Sequence, residues 1–257
     1  MKVLTKHILE SVLITGCNKG LGLQFVKHFV ESNESAGSKT QIFACSRRHT
    51  PDLDQLLTDK NVHHVDLDIS ESDQVKSAAL KVEQILDGKG LNLLINNAAI
   101  PSYNKHAGLN ECSPKELNQV FNVNVSGTHS MTMAFHPLLK LSASQRSDIP
   151  MCCARGAVFN ISSKLASVEN TDKSYAVSYR VSKTALNMLT KITSLEFIAD
   201  GIISLSVQPG WVQTDIGDSH ATLTATESVA DMVYLIENAK EEHNGKFVRK
   251  NFVVDPY

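Results

Sequence analysis

The chain has 257 residues, 42% of them hydrophobic and 20% charged, and α/β folds of this length form around one sheet, so a single domain over 1–257 is expected. Twenty-five Lys and Arg against 27 Asp and Glu leave a formal charge of -2, which gives no electrostatic reason to expect a nucleic-acid or anionic-membrane partner. The opening MKVLTKHILE lacks the apolar core of a secretory leader, and no run approaches the roughly 18 apolar residues that span a bilayer. The expected location is therefore cytoplasmic. Cys17, Cys45, Cys112, Cys152 and Cys153 form no Cys-x-x-Cys pair and read as reduced thiols.

Short apolar runs alternate with longer amphipathic stretches. Strands are expected at 11–15, 41–45, 62–67, 91–95, 157–161, 203–207 and 252–254. Helices are expected at 21–30, 72–86, 117–139, 174–198 and 227–238. Segments 31–39 and 141–155 are polar or rich in breakers and read as surface loops. Strands without polar alternation, separated by helices, imply a parallel sheet covered on both faces. The expected fold is α/β: a Rossmann-type doubly wound sheet of about seven strands, with its ligand crevice beyond the carboxyl ends of the strands.

Directly after the first strand comes TGCNKGLG, residues 15–22, and then a helical pattern. Gly16, Gly20 and Gly22 let the backbone approach a pyrophosphate while the helix start presents free N–H groups and positive dipole to it. No Gly-Lys-Ser/Thr follows, so the turn is not a P-loop. At the end of the second strand the chain reads CSRR, residues 45–48, with no carboxylate to accept hydrogen bonds from a free ribose 2′-hydroxyl. Arg47, together with Lys19 in the glycine turn, could instead face a 2′-phosphate. A charge-assisted hydrogen bond contributes roughly 1.5–3 kcal/mol, so two such cations select NADP(H).

Tyr179 and Lys183 stand four residues apart in YRVSK, which puts them on one face of a helix. Such a pair is common by chance; the signal lies in what accompanies it. Ser163 follows the fifth strand in GAVFNISS, and Asn124 lies in VNVSG within the helical pattern from 117. NNAA occupies 96–99 and PGWVQTD occupies 209–215. No Gly-x-Ser-x-Gly elbow makes Ser163 a hydrolase nucleophile. No metal is expected either: there is no His-Glu-x-x-His, and adjacent His63 and His64 on a strand point to opposite faces.

In this order and spacing, the motifs make the chain resemble the short-chain dehydrogenase/reductase family over nearly its whole length. The nearest likeness is to carbonyl reductases of the sniffer and C-factor type, through CNKGLGL, PGWVQTDIG, TESVADM and EEHNGKFV. The resemblance implies a catalytic tetrad: Tyr179 as general acid, Lys183 holding the nicotinamide ribose and lowering the Tyr179 pKa, Ser163 bonding the substrate oxygen, and Asn124 positioning a relay water. An ammonium about 4 Å away at an effective dielectric near 20 supplies about 4 kcal/mol, enough to bring a phenol from about 10 to about 7.

The cofactor set implied by the same resemblance takes Gly16, Asn18, Lys19, Gly20, Leu21 and Gly22 from the turn, then Arg47, Asp68, Ile69, Asn96 and Ala98. Tyr179, Lys183, Pro209, Gly210, Val212 and Thr214 complete it. Ala99 replaces a glycine usual in the family, which would strain the backbone if the position required positive φ. Segments 100–103 and 165–168 and the chain from Trp211 should wall the substrate pocket, while Tyr175 should pack its own helix. The expected activity is NADPH-dependent reduction of small carbonyl compounds by a homodimer. The competing readings are an alcohol or hydroxysteroid dehydrogenase working in the oxidising direction and a non-catalytic NADP-sensing regulator.

Overall fold

The structure, a computed structural model, describes residues 8–257. Residues 1–7, which hold most of the segment read as lacking a leader, lie outside the described residues. In chain order the elements are β1 (Ser11–Thr15), α1 (Gly20–Ala36), β2 (Gln41–Ser46), α2 (Pro51–Leu56), β3 (Val62–Asp66), α3 (Ser72–Leu86) and β4 (Leu93–Asn96). There follow α4 (Pro114–Phe121), a π-helical turn (Asn122–Gly127), α5 (Thr128–Gln145), β5 (Ala157–Ile161), α6 (Val177–Phe197), β6 (Ile203–Val207), α7 (Ala225–Asn238), β7 (Phe247–Arg249) and β8 (Val253–Val254).

One sheet runs in the order β3-β2-β1-β4-β5-β6-β7-β8. Its first seven strands are parallel and β8 turns back antiparallel to β7. The chain order reverses between β1 and β4, and a parallel sheet of this kind opens its crevice at that switch, above the carboxyl strand ends. Strand alternation sends Val12 and Ile14 to one face, where they pack with Phe25, Val26 and Met232 of α1 and α7. Leu13 and Leu94 face the opposite side, with Val82 and Phe135 of α3 and α5. Each fully buried side chain of this size contributes roughly 1.5–3 kcal/mol, so both faces of the sheet form a rigid platform.

Several boundaries differ from the sequence expectation. The 31–39 loop is largely helix: α1 continues to Ala36 and stops at Gly37, whose φ of 62° ends the turn. Asn33, read as loop, is buried and bonds both backbone groups of Thr40, which ties the helix end to β2. Likewise the 141–155 loop begins later, because α5 runs through Gln145. Buried Ser142 there donates to the Arg155 carbonyl and accepts from Asn92. Eight strands replace about seven: the strand expected at 252–254 is β8, and β7, at 247–249, is an additional strand paired between β6 and β8. The single helix expected at 117–139 is broken by the π turn. At its end Gly127 approaches β3's following loop so closely that a Cβ would lie 2.8 Å from the Ile69 carbonyl oxygen. The short α2 adds to the expected helices; Thr50 caps it and Pro51 opens it.

Candidate active site

Above the carboxyl ends of the strands lie two connected cavities that share Leu21, Asn97, Ala99, Thr214 and Ile216 in their walls. The first, about 500 Å³, is lined by the glycine turn, the end of β2 and the segments after β3 and β4. The second, about 470 Å³, is lined by the segments after β4, β5 and β6 and the start of α6.

The glycine turn forms the floor of the first cavity. Gly16 has φ 76°. At Gly22 a Cβ would stand 2.2 Å from the Gly16 carbonyl oxygen, so only glycine lets α1 fold back onto its own turn. Gly22 itself is outside the cavity wall, whereas Gly16, Asn18, Lys19, Gly20 and Leu21 line it. Lys19 is the N-cap of α1 and offers no side-chain acceptor, which leaves first-turn N–H donors without a capping side chain. That donor set, with the helix dipole behind it, fits a dinucleotide pyrophosphate.

The two cations expected at a 2′-phosphate engage different carboxylates. Arg47 stays at the end of β2, 66% exposed and 3.4 Å from the Asp68 carboxylate. Lys19 instead pairs with Asp215 of the segment after β6. Arg48 lines the same cavity. Burial works against the Asp68 charge, but the Ser70 N–H and hydroxyl and the Arg47 guanidinium together hold its carboxyl below the usual range. Ile69 and Ala98 line the cavity beside it.

Asn96 stands outside both cavities. β4 ends one residue later than expected, so Asn96 belongs to the sheet, opposite Asn160 in register. It is buried and donates to Asn160 and Thr132. Its neighbour Asn97, which sequence reasoning passed over, lines both cavities and donates to the Thr15 carbonyl. Ala99 does not have positive φ, so the replacement of glycine carries no strain of the kind considered.

Ser163, Tyr179 and Lys183 converge on the wall of the second cavity. Ser163 follows β5, and α6 presents Tyr179 and Lys183 from successive turns. The Ser163 hydroxyl is hydrogen-bonded to the Tyr179 phenol. The Lys183 ammonium donates to the Ile161 carbonyl at 2.7 Å and lies 5.6 Å from the centre of the Tyr179 ring. Burial pushes Tyr179 up to about 12 against a smaller opposing pull from Ser163. Burial also brings Lys183 down to about 7. Desolvation, which disfavours both charged forms, is the leading cause of each shift.

Asn124 sits in the π turn, buried and outside the cavity walls. Its carbonyl oxygen accepts from the Ile100 N–H at 2.8 Å, and its amide donates to the Ile100 carbonyl and Ser182. It thereby fastens the segment after β4 to α6. Pro209, Gly210, Val212 and Thr214 line the second cavity from the far side. Tyr175 lies before α6 rather than within it. It faces the second cavity under the Arg180 guanidinium, 4.7 Å from the ring centre. Among the described residues no cluster of three metal-ligating side chains occurs, and no helix is long and apolar enough to cross a membrane.

Comparison with known proteins agrees with this geometry. The family described as short chain dehydrogenase matches residues 10–223. The carbonyl reductase Sniffer of Drosophila melanogaster is 32% identical and superposes with a TM-score of 0.91, over 97% of this chain and 100% of that one. An NADPH-bound carbonyl reductase from chicken fatty liver is 32% identical with a TM-score of 0.88, over 97% and 99%. The C-signal protein of Myxococcus xanthus is 31% identical over 61% of this chain and 87% of its own length.

Proposed function

The chain belongs to the short chain dehydrogenase family, and from that premise we propose that it is a cytoplasmic NADPH-dependent reductase of small carbonyl compounds. The observation that carries the reading is the meeting of Ser163, Tyr179 and Lys183 on a cavity wall continuous with the glycine-turn cavity. A nicotinamide held across the two cavities would supply the hydride. Gly16, Asn18, Gly20, Leu21 and Thr214 would hold the nucleotide, with Arg47 at its ribose phosphate. The similarity to an NADPH-bound carbonyl reductase supports this choice of nucleotide.

Ser163 donates a hydrogen bond to the substrate oxygen and Tyr179 delivers its proton there. A phenol near 12 is fully protonated at neutral pH yet remains far more acidic than the alcohol it makes. Lys183, near 7 in its buried setting, becomes more firmly charged when an anion is placed beside it. Apolar walls from Pro101, Leu165, Trp211 and Ile216 suit small aromatic aldehydes, quinones or dicarbonyls.

Following NADPH oxidation with isatin, phenanthrenequinone and aromatic aldehydes tests the reading. Turnover above the no-enzyme background is expected, and background rates with all three classes overturn it. NADPH binding without turnover would favour a sensor. The exposed apolar residues Val181, Met188, Ile192 and Leu195 on α6 support a homodimer, which a monomeric mass by light scattering would refute.

A further inference from the structure

The helix that carries Tyr179 and Lys183 begins without a cap of its own. Its N-cap residue is Ala176, in the left-handed region at φ 54°, and no side chain at that position accepts from the first turn. The missing acceptor comes from elsewhere: Ser102 Oγ, on the segment after β4, accepts from the Tyr179 N–H at 3.2 Å. Ser102 and Ser178 hydroxyls lie 2.8 Å apart, and Ser178 donates to Glu116 Oε1 of α4 at 2.6 Å. The same carboxylate oxygen accepts from the Tyr103 N–H at 3.2 Å. All three side chains are buried, with Ser178 1%, Ser102 4% and Glu116 6% exposed.

We propose that Glu116, Ser178 and Ser102 form a buried chain of acceptors that caps α6 in trans and so fixes the height of the Tyr179 phenol in the cavity. The bond from Ser178 to Glu116 sets the direction of the links behind it, since a hydroxyl has a single hydrogen to donate. Ser178 gives its proton to Glu116, Ser102 gives its proton to Ser178, and the remaining lone pair of Ser102 takes the Tyr179 N–H. The chain joins three segments that sequence keeps apart, and it meets the α6 turn whose side chain touches substrate. Glu116 and Ser102 are thus positioning residues. The inference rests on the reductase reading for its catalytic consequence but not for its structural one.

The test compares Ser102→Ala, Glu116→Leu and Glu116→Gln in the full chain. Loss of one buried hydrogen bond, or a small displacement of a reacting group, corresponds to about a tenfold effect. Ser102→Ala and Glu116→Leu are therefore expected to lower kcat about tenfold with the KM for NADPH within twofold, since neither the glycine turn nor Lys183 is touched. Glu116→Gln retains a carbonyl acceptor and should recover most of the loss. Amide hydrogen exchange supplies a readout that needs no turnover: residues 177–183 should exchange about tenfold faster in Ser102→Ala while 186–197 stay as in wild type. Unchanged exchange with kcat within twofold overturns the proposal, as does uniform acceleration along all of α6, which signals general loosening. If wild type reduces no carbonyl, the reductase reading fails and the exchange pattern alone decides this one. Should Glu116→Leu fail to fold, Ser102→Ala and Glu116→Gln still separate these outcomes.

Discussion

The two ends of the cleft are built on opposite principles. At the catalytic end, buried Lys183 is held by a 2.7 Å bond to the Ile161 carbonyl and the Tyr179 phenol stands beside Ser163, with Asn124 and Ser182 tying α6 to the neighbouring wall. At the nucleotide-ribose end, Arg47 and Lys19 are about two-thirds exposed and reach their partners through solvent-facing side chains. Low dielectric and close packing make the first end rigid and intolerant of change. Screening makes the second end adjustable: on the proposed reading, a charge there would alter which nucleotide binds without disturbing the fold.

The largest expected effect lies at the buried end. Tyr179→Phe removes the proton donor and keeps the ring, so kcat should fall by about 10²–10⁴-fold with NADPH affinity held within about twofold. Steady-state rates and fluorescence titration of NADPH check this. An unchanged kcat would remove the phenol from the chemistry and erase the contrast between the two ends.

Lys183 sharpens the contrast through stability. Its native value is about 7, against 10.5 for an ordinary lysine. Between those values the unfolded chain holds a proton that the native site has released, so stability rises with pH across the window. The slope from this one group is at most about 1.4 kcal/mol per pH unit. Lys183→Met removes it. Urea melts of both proteins across the window should therefore show wild type gaining on the variant as pH rises; a constant difference would mean that burial does not perturb this amine.

How much of this is legible in the sequence follows the same division. The glycine turn and the Tyr179–Lys183 pair are readable because both depend on local spacing, at β1–α1 and along one helix face. Asn96 is misplaced by sequence because β4 ends a residue later than its apolar run suggests, and strand parity then sends that side chain into the sheet and leaves Asn97 at the cavity. The direction of the Tyr179 shift is not legible because the four-residue spacing does not reveal how strongly the fold desolvates both groups. Ser102 and Glu116 carry no readable signal, since their bonds to Ser178 and Tyr179 span 62 to 77 residues.

At the exposed end the expected effects are smaller. Arg47→Glu exchanges an attractive partner of a 2′-phosphate for a repulsive one, and the ratio of kcat/KM for NADPH over NADH should fall about 10- to 100-fold. The wild-type preference should also weaken as salt is added. A ratio insensitive to both charge and salt would assign nucleotide selection to some other part of the cleft.

Lys19 provides the smallest and most discriminating change. Sequence alone pairs it with Arg47 at a common phosphate, whereas its ammonium is engaged by Asp215 on the segment after β6. Two such exposed partners contribute at most about 1 kcal/mol to one another. If Lys19 acts there, Lys19→Ala should alter NADPH and NADH affinities alike, by less than about fivefold, and leave their ratio near the wild-type value. Asp215→Ala should behave similarly, and the double variant should add little beyond either single change, because each removes the same contact. A loss confined to NADPH in Lys19→Ala, absent from Asp215→Ala, would mean that the ammonium leaves Asp215 for the ribose phosphate when nucleotide binds. Arg47 and Lys19 would then act together after all, and the exposed end would owe its selectivity to a rearrangement and not to one preset arginine.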